Sequence, residues 1–179
     1  GVPGCGKSMV AKAIANEWDM GFHRVHPDEL VGPCIADNET FMRNLVNGLA
    51  ARAPVVCFMD EAEKLLGQTR AGTMYRACDS ARDSAESILL QFMEDDNSGV
   101  FFIFTANEYR KMSPALLDRF HGRFFIDLPS RSARKDIISS MLEIRQRNPS
   151  DYDIERLVGI SDGFSGRDIR TAIDEAMKS

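Results

Sequence analysis

Residues 1–8 read Gly1-Val2-Pro3-Gly4-Cys5-Gly6-Lys7-Ser8, and this stretch decides the fold class. It satisfies the pattern G-x-x-x-x-G-K-S/T, in which glycines let backbone N–H groups approach phosphate oxygens closely. The lysine of this pattern supplies a cation for the β- and γ-phosphates, and the next hydroxyl is offered to Mg²⁺. A glycine-rich turn before a helix is the alternative interpretation. We predict a nucleotide-binding loop made of Pro3, Gly4, Cys5, Gly6, Lys7, Ser8 and Met9.

The residues after this loop favour a helix from Lys7 to Trp18, with Val10, Ile14 and Trp18 on one face. Its N-terminus, where unpaired N–H groups attract anions, would then lie at the phosphates. A loop of this kind ordinarily follows a buried β-strand. Because the sequence begins at Gly1, we expect the first strand of the sheet to be missing from this chain.

A second motif follows the apolar run Val55–Met59, which predicts a buried strand with Asp60 and Glu61 at its carboxyl end. Open α/β sheets bind ligands at the carboxyl ends of their strands. Hydrolysis at a γ-phosphate needs a metal anchor and a base, so Asp60 is suited to hold Mg²⁺ and Glu61 to accept a proton from water. Acid pairs at strand ends are common, and the prediction therefore depends on the accompanying Lys7 and Ser8.

A third polar group follows the run Val100–Phe104, which is the most strand-like stretch of the chain. If that strand is buried and parallel, it presents Asn107 beside the phosphates, where the amide could orient water. An asparagine in an ordinary turn is the alternative.

Two arginines, Arg119 and Arg123, follow a short helical turn that Ser113 caps and Pro114 opens. They precede an apolar stretch, residues 124–128, that we predict to be a strand. A pair in this position is either solvated charge or a phosphate clamp supplied to a neighbouring subunit.

The remaining patterns alternate between helix and strand up to residue 129 and are helical afterwards. Alternation of this kind predicts an α/β protein with a three-layer parallel sheet. We therefore expect a P-loop core over residues 1–129 and a small helical lid over residues 130–179. The predicted elements are a strand at 22–25 and helices at 38–52, 81–93, 130–147, 151–158 and 165–177, the last with Ser165 and Asp168 at capping-box spacing. Two of these helices carry an apolar stripe at helical spacing that we expect to face the core: Phe41, Met42, Leu45, Val46 and Leu49 in 38–52, and Ala85, Ile88, Leu89 and Phe92 in 81–93.

Composition excludes several classes of protein. Lysine and arginine number 22 against 27 aspartates and glutamates, giving a net charge of −5, which argues against nucleic acid as the partner. No apolar run approaches the ~20 residues that span a bilayer, and no export leader opens the chain, so we expect no membrane partner. The 4 cysteines and 3 histidines lie at no metal-ligand spacing. Reduced thiols fit the cytoplasm or another reducing compartment.

Together these motifs resemble those of the AAA+ ATPases, and within them the AAA branch. The resemblance covers essentially the whole chain: residues 1–8 match the first nucleotide motif, 55–61 the second, Asn107 the sensor asparagine and 113–129 the arginine-finger region. Residues 163–169 look like the start of the lid helix that touches nucleotide in relatives. The sequence is most similar to the cyanobacterial and plastid-type AAA proteins.

The resemblance implies Mg²⁺-dependent ATP hydrolysis, with ATP and Mg²⁺ as cofactors, in a homo-oligomeric ring that we expect to be a hexamer. It assigns phosphate and Mg²⁺ binding to Lys7 and Ser8, the metal to Asp60, the base to Glu61 and the water to Asn107. It implies a protein client that ATP turnover remodels. A scaffold that assembles on nucleotide without turnover and a P-loop phosphotransferase are the alternatives.

The arginines are assigned less directly. The spacing to the end of the expected strand fits Arg119 as the finger better than Arg123, and Arg167 resembles a second sensor for the γ-phosphate. An exposed arginine in the first turn of a helix is the alternative for Arg167.

Two segments bear on how a client would be contacted. AAA unfoldases usually carry an aromatic residue in their axial pore loop, and the aligned residues 31–36 contain none. This departure speaks against threading of an unfolded chain. Residues 67–79 are a second candidate contact surface, or else a connector.

Overall fold

The computed structural model describes residues 1–26, 35–66, 76–94 and 99–178. The chain divides into two compact units. One contains residues 8–123, and the other contains residues 1–7 together with residues 124–179. The division predicted near residue 129 stays a prediction.

The unit of residues 8–123 is built on a parallel sheet of three described strands in the order β1 (Gly21–Val25), β2 (Val55–Met59) and β3 (Val100–Phe104). The register pairs Val25 with Met59 and Met59 with Phe104, so the three carboxyl ends lie side by side. The sheet confirms the predicted α/β class. Its carboxyl edge is where the polar residues Asp60 and Asn107 leave the strands.

Burial differs between the central strand and its neighbour. Every residue of β2 is buried, as its apolar run predicts. Burial also raises the pKa of the Cys57 thiol to about 12, so this side chain acts as an apolar core residue. The neighbouring strand β3 is less covered: Phe101 is exposed and the rest of the strand is only half-buried. Of the described strands, β2 alone pairs with β3, which is the outer strand of this sheet.

Five described helices accompany these strands. The first of them, α1, spans the cut between the two units in sequence. They are α1 (Lys7–Glu17), α2 (Ile35–Ala50), α3 (Ala62–Leu66), α4 (Arg76–Glu94) and α5 (Pro114–Asp118). The predicted stripes of α2 and α4 are confirmed, because Met42, Leu49 and Leu89 lie fully in the core.

The apolar face predicted for α1, made of Val10, Ile14 and Trp18, was wrong. Its buried residues are Ala11 and Ala15, whereas Val10 and Trp18 are 48% and 51% exposed. Burial in α1 thus follows the face of Ala11 and Ala15 and not the larger side chains. Trp18 instead contacts Phe101 edge to face, with ring centroids 4.8 Å apart.

In the second unit, residues 124–128 do not form the predicted strand. Phe124 and Phe125 are strongly exposed, and one backbone hydrogen bond, from the Val2 N–H to the Ile126 oxygen at 2.9 Å, joins this stretch to residues 1–7. The segment is therefore irregular and not a strand.

The C-terminal helices are α6 (Arg131–Ile144), α7 (Ile154–Ile160) and α8 (Gly166–Ala176). They pack around a small core of Ile138, Leu142, Val158 and Ile169. α7 begins later than predicted because Pro149–Asp151 forms a 3₁₀ turn and Asp153 caps the helix. No helix in the described ranges is long and apolar enough to cross a membrane.

Candidate functional site

The predicted nucleotide loop is a turn that depends on glycine. Gly4 and Gly6 have φ angles of 78° and 83°, which residues with a Cβ rarely adopt. The Lys7 ammonium donates to the carbonyl oxygens of Gly1 at 2.9 Å and Val2 at 3.0 Å. These bonds hold the lysine side chain against its own loop.

The start of α8 lies against this loop within the same unit. The Arg167 N–H donates to the Gly4 oxygen at 3.1 Å. A Cβ on Gly4 would lie 2.8 Å from both Arg167 Cβ and Ser165 Oγ, so only glycine fits there. Arg167 thus lies beside the predicted loop through its backbone, and its role as a second sensor stays a prediction.

Ser165 and Asp168 fix the first turn of α8 by the predicted capping box. Hydrogen bonds from the Ser165 hydroxyl and backbone lower the pKa of Asp168. The carboxylate thus stays charged at the positive end of the helix, which stabilises the turn beside the loop.

The other unit carries what we call the acid edge, Asp60 and Glu61 at the carboxyl end of β2. Both oxygens of Asp60 are held: Oδ1 accepts from the Thr105 hydroxyl at 2.6 Å, and Oδ2 accepts from the Ser8 hydroxyl at 3.3 Å. The Arg24 guanidinium also donates to Oδ2, at 2.9 Å. The structure therefore brings Ser8 and Asp60 together, as the sequence predicts.

Glu61 adopts a left-handed backbone conformation, with φ of 50°. A non-glycine residue in this region costs roughly 1–3 kcal/mol and is often found at functional sites. Its N–H donates to Thr105 Oγ1 at 3.1 Å, so the hydroxyl that holds Asp60 also holds Glu61. The turn aims the Glu61 carboxylate at the end of β3.

The Glu61 carboxylate has a donor on each oxygen. Asn107 Nδ2 donates to Oε1 at 3.3 Å, and the Lys64 ammonium donates to Oε2 at 2.5 Å. The predicted base and the predicted water-orienting amide are thus neighbours, although one follows β2 and the other β3.

Sequence analysis missed three residues of this site: Arg24, Glu63 and Thr105. Glu63 is 8% exposed, its Oε1 accepts from the Asn107 N–H at 3.1 Å, and its Oε2 has no hydrogen-bond partner among the described residues. Thr105 is 7% exposed. In the sequence, only position points to two of these residues: Glu63 follows the acid pair by two residues, and Thr105 directly follows β3.

Oxygen ligands suitable for Mg²⁺ lie close together at the acid edge. The Ser8 hydroxyl and the Asp60 carboxylate share a hydrogen bond, and both are hard oxygen donors. Mg²⁺ in nucleotide sites is held through one or two such groups together with water and phosphate oxygens. The residues present therefore fit this cation.

The two candidate finger arginines lie apart from this arrangement. Arg119 donates to the Glu94 carboxylate, and Arg123 lies 3.9 Å from Asp118. All four side chains are more than two-fifths exposed. The structure thus pairs Arg119 and Arg123 with surface acids and not with Asp60 or Glu61.

The segments expected to contact a client lie outside the described residues. This holds for residues 31–34 of the aligned pore loop and for residues 67–75 of the second candidate surface.

Phosphate loop, parallel sheet and acid edge define an α/β P-loop protein. Residues 1–128 match the family described as AAA, the ATPase family associated with various cellular activities. The chain belongs to that family, which confirms the resemblance seen in its sequence.

Among particular relatives, the chain is 32% identical to the AAA domain-containing protein ycf46 of Pyropia yezoensis, over 99% of this chain and 36% of that protein. It is 31% identical to the AAA domain-containing protein FIGL1 of Arabidopsis thaliana, over 98% of this chain and 26% of the relative. The chain therefore spans about a third or less of these proteins.

A solved structure has the same fold. The FIGL-1 AAA domain, crystallised with ADP, aligns with a TM-score of 0.74 at 24% identity, over 95% of this chain and 56% of that one.

Proposed function

We propose that the protein is a Mg²⁺-dependent ATP hydrolase of the AAA type that works as a homo-oligomeric ring, expected to be a hexamer. The observation that carries this proposal is the Glu61 carboxylate, which lies directly after Asp60 and accepts a hydrogen bond from the Asn107 amide. A base beside a metal ligand and a water-orienting amide is what hydrolysis of a γ-phosphate requires.

In this proposal the loop residues Pro3 to Met9 bind the nucleotide, with Lys7 opposite the β- and γ-phosphates. Ser8 and Asp60 hold Mg²⁺, which neutralises charge on the phosphates when it is bound. Glu61 takes the proton of the attacking water, and Asn107 orients that water. Arg167, whose backbone contacts Gly4, is the candidate for a second sensor.

The neighbouring subunit supplies Arg119 to the phosphates, with Arg123 as the second candidate. The exposure of both side chains supports this division of work, because a group that acts on a neighbour has to be accessible on its own subunit. Turnover in the ring then remodels a protein client. The absence of an aromatic residue in positions 31–36 favours contact with a folded client over threading.

The core cysteine Cys57 agrees with a reducing compartment, which we propose to be the cytoplasm or the plastid stroma.

The test is Glu61→Gln, which keeps the shape of the side chain and removes the base. We expect ATP binding to persist while phosphate release falls by about 10²-fold or more, the range that general-base catalysis supplies. Glu108→Gln, which alters an exposed glutamate paired with Lys111, is the matched control and should leave turnover unchanged.

Phosphate release and binding of a fluorescent ATP analogue are measured on the same samples. Normal turnover by Glu61→Gln would overturn the assignment of the base. A wild-type protein that binds ATP and assembles on it, with no phosphate release at any concentration, would be the nucleotide-gated scaffold instead.

A further inference from the structure

Arg24 is a charged residue at the acid edge that the function described above does not use. It lies on β1 beside Phe58 of β2 in the sheet register. Its guanidinium carbon is 5.7 Å from the centre of the fully buried Phe58 ring, and Phe22, two residues earlier on β1, stacks on the same ring at 5.9 Å. The aromatic pair therefore supports the arginine stem and directs its charged end to the carboxyl edge.

The charged end meets the candidate metal ligand. Arg24 Nη2 donates to Asp60 Oδ2 at 2.9 Å, and the Asp60 side chain is 21% exposed. The same oxygen accepts from Ser8, and the other oxygen is held by Thr105. Arg24 thus holds Oδ2, the carboxylate oxygen that also accepts from Ser8.

A guanidinium in this place has an electrostatic effect that a neutral donor would lack. Its positive charge balances the charge of Asp60, and it persists at every physiological pH because arginine does not lose its proton. A divalent cation approaching Asp60 and Ser8 is then repelled by a fixed charge within a few ångströms. Water screens this repulsion in part, since the Arg24 side chain is 39% exposed and that of Asp60 21%.

We propose that Arg24 is a positioning residue for Asp60 whose charge weakens the binding of free divalent cations at the Asp60 and Ser8 oxygens. This inference rests on the proposed function for the role of Asp60. Its consequence is that the cation is taken up together with phosphates, whose negative charge outweighs that of Arg24.

The experiment is a titration of the protein with Mn²⁺ without nucleotide, in which the loss of the free-ion electron paramagnetic resonance signal reports binding. Arg24→Gln keeps a hydrogen-bond donor for Asp60 and removes the charge. We expect it to bind Mn²⁺ at least about threefold more tightly than the wild type. Arg24→Lys, which keeps the charge, should behave like the wild type.

Two controls separate this effect from others. Asp60→Asn in the Arg24→Gln background should abolish the added binding, and Arg43→Gln, an exposed change on α2 with the same effect on net charge, should change nothing. Thermal melting checks that each variant is folded.

Equal affinity in the wild type and Arg24→Gln, including no binding by either, would overturn the proposal, as would weaker binding by Arg24→Gln. Because the titration contains no nucleotide, its failure leaves the proposed ATPase activity standing. Failure of the Glu61→Gln test would in turn leave this result unaffected.

Discussion

The acid edge and the arginine pair are held in opposite ways. Asp60 and Glu61 are fixed by Ser8, Arg24, Thr105, Asn107 and Lys64, whose donors reach every one of their carboxylate oxygens. Arg119 and Arg123 each have one acidic partner at the surface. Exposed ion pairs of this kind contribute only about 0–1 kcal/mol.

The difference fits groups that act on different subunits. A carboxylate that acts within its own subunit gains from being oriented before the ligand arrives, because no reorganisation is then needed during the reaction. An arginine that acts on a neighbouring subunit has to leave its resting partner easily. The weak pair between Arg119 and Glu94 allows this.

The largest effect is expected from Arg119→Ala. Loss of an arginine finger typically costs about 10³-fold or more in turnover. Phosphate release should fall by this order while ATP binding is kept, because the arginine stabilises charge that develops on a neighbour's phosphates. Arg119→Lys keeps the charge and loses the planar fork, so it should recover activity only in part. Loss of ATP binding in Arg119→Ala would contradict a role in trans.

An intermediate effect is expected from Thr105→Val, which removes the hydroxyl and keeps the shape. Asp60 Oδ1 and the Glu61 N–H would each lose a partner, and hydrogen bonds to charged groups contribute about 1.5–3 kcal/mol. Turnover should fall roughly 10-fold or more, and the melting temperature should fall by several degrees, because the folded state loses these bonds. Thr105→Ser keeps the hydroxyl and should stay close to wild type. A Thr105→Val enzyme as active as Thr105→Ser would show that this hydroxyl does not orient the acid edge.

A smaller effect is expected from Arg123→Ala. Its side chain lies 3.9 Å from Asp118 at an exposed site, so neither stability nor ATP binding should depend on it. We expect turnover within about threefold of the wild type if Arg119 is the finger. A loss as large as that of Arg119→Ala would make Arg123 a second finger, and a loss in Arg123→Ala alone would exchange the two assignments.

The smallest effect is expected from Glu86→Gln, which tests how the helix before Arg119 is held. Glu86 on α4 accepts a hydrogen bond from Ser113, the N-cap of α5, and burial raises its pKa above the ordinary 4.5. Because the folded state favours the protonated form, this stabilisation is present at acid pH and is lost as pH rises through the raised pKa. Glutamine stays neutral and escapes that loss.

The melting temperature of Glu86→Gln relative to the wild type should therefore rise by a few degrees between about pH 4 and about pH 7. A variant that is less stable than the wild type at the higher pH would mean that the Ser113 bond outweighs burial.

Much of the fold follows from local patterns. The run Val55–Met59 is apolar throughout and is buried throughout, and the stripe of α2 faces the core as its spacing predicts. Ser113 and the pair Ser165 and Asp168 begin helices because their side chains satisfy free N–H groups nearby in sequence. Pro114 suits the first position of α5 because its φ is fixed and no N–H is needed there. In patterns of this kind, the physical cause lies within a few residues of the feature that it predicts.

The errors came where the cause lies elsewhere in the chain. Residues 124–128 have a strand-like composition but are irregular, because a strand depends on a partner strand that local composition does not encode. In α1 the buried face is that of Ala11 and Ala15, which helical spacing of large apolar residues does not reveal. Arg24 and Thr105 join the acid edge through the sheet register, which no short pattern contains.

The most direct test of the central claim is to mix two variants, Glu61→Gln and Arg119→Ala, each purified separately. If one subunit's acid edge works with the neighbour's Arg119, a mixed ring contains interfaces with an intact Glu61 on one side and an intact Arg119 on the other. We predict that the mixture releases phosphate well above the sum of the two variants measured alone. A mixture no more active than that sum, while assembly of mixed rings is demonstrated, would contradict the shared site.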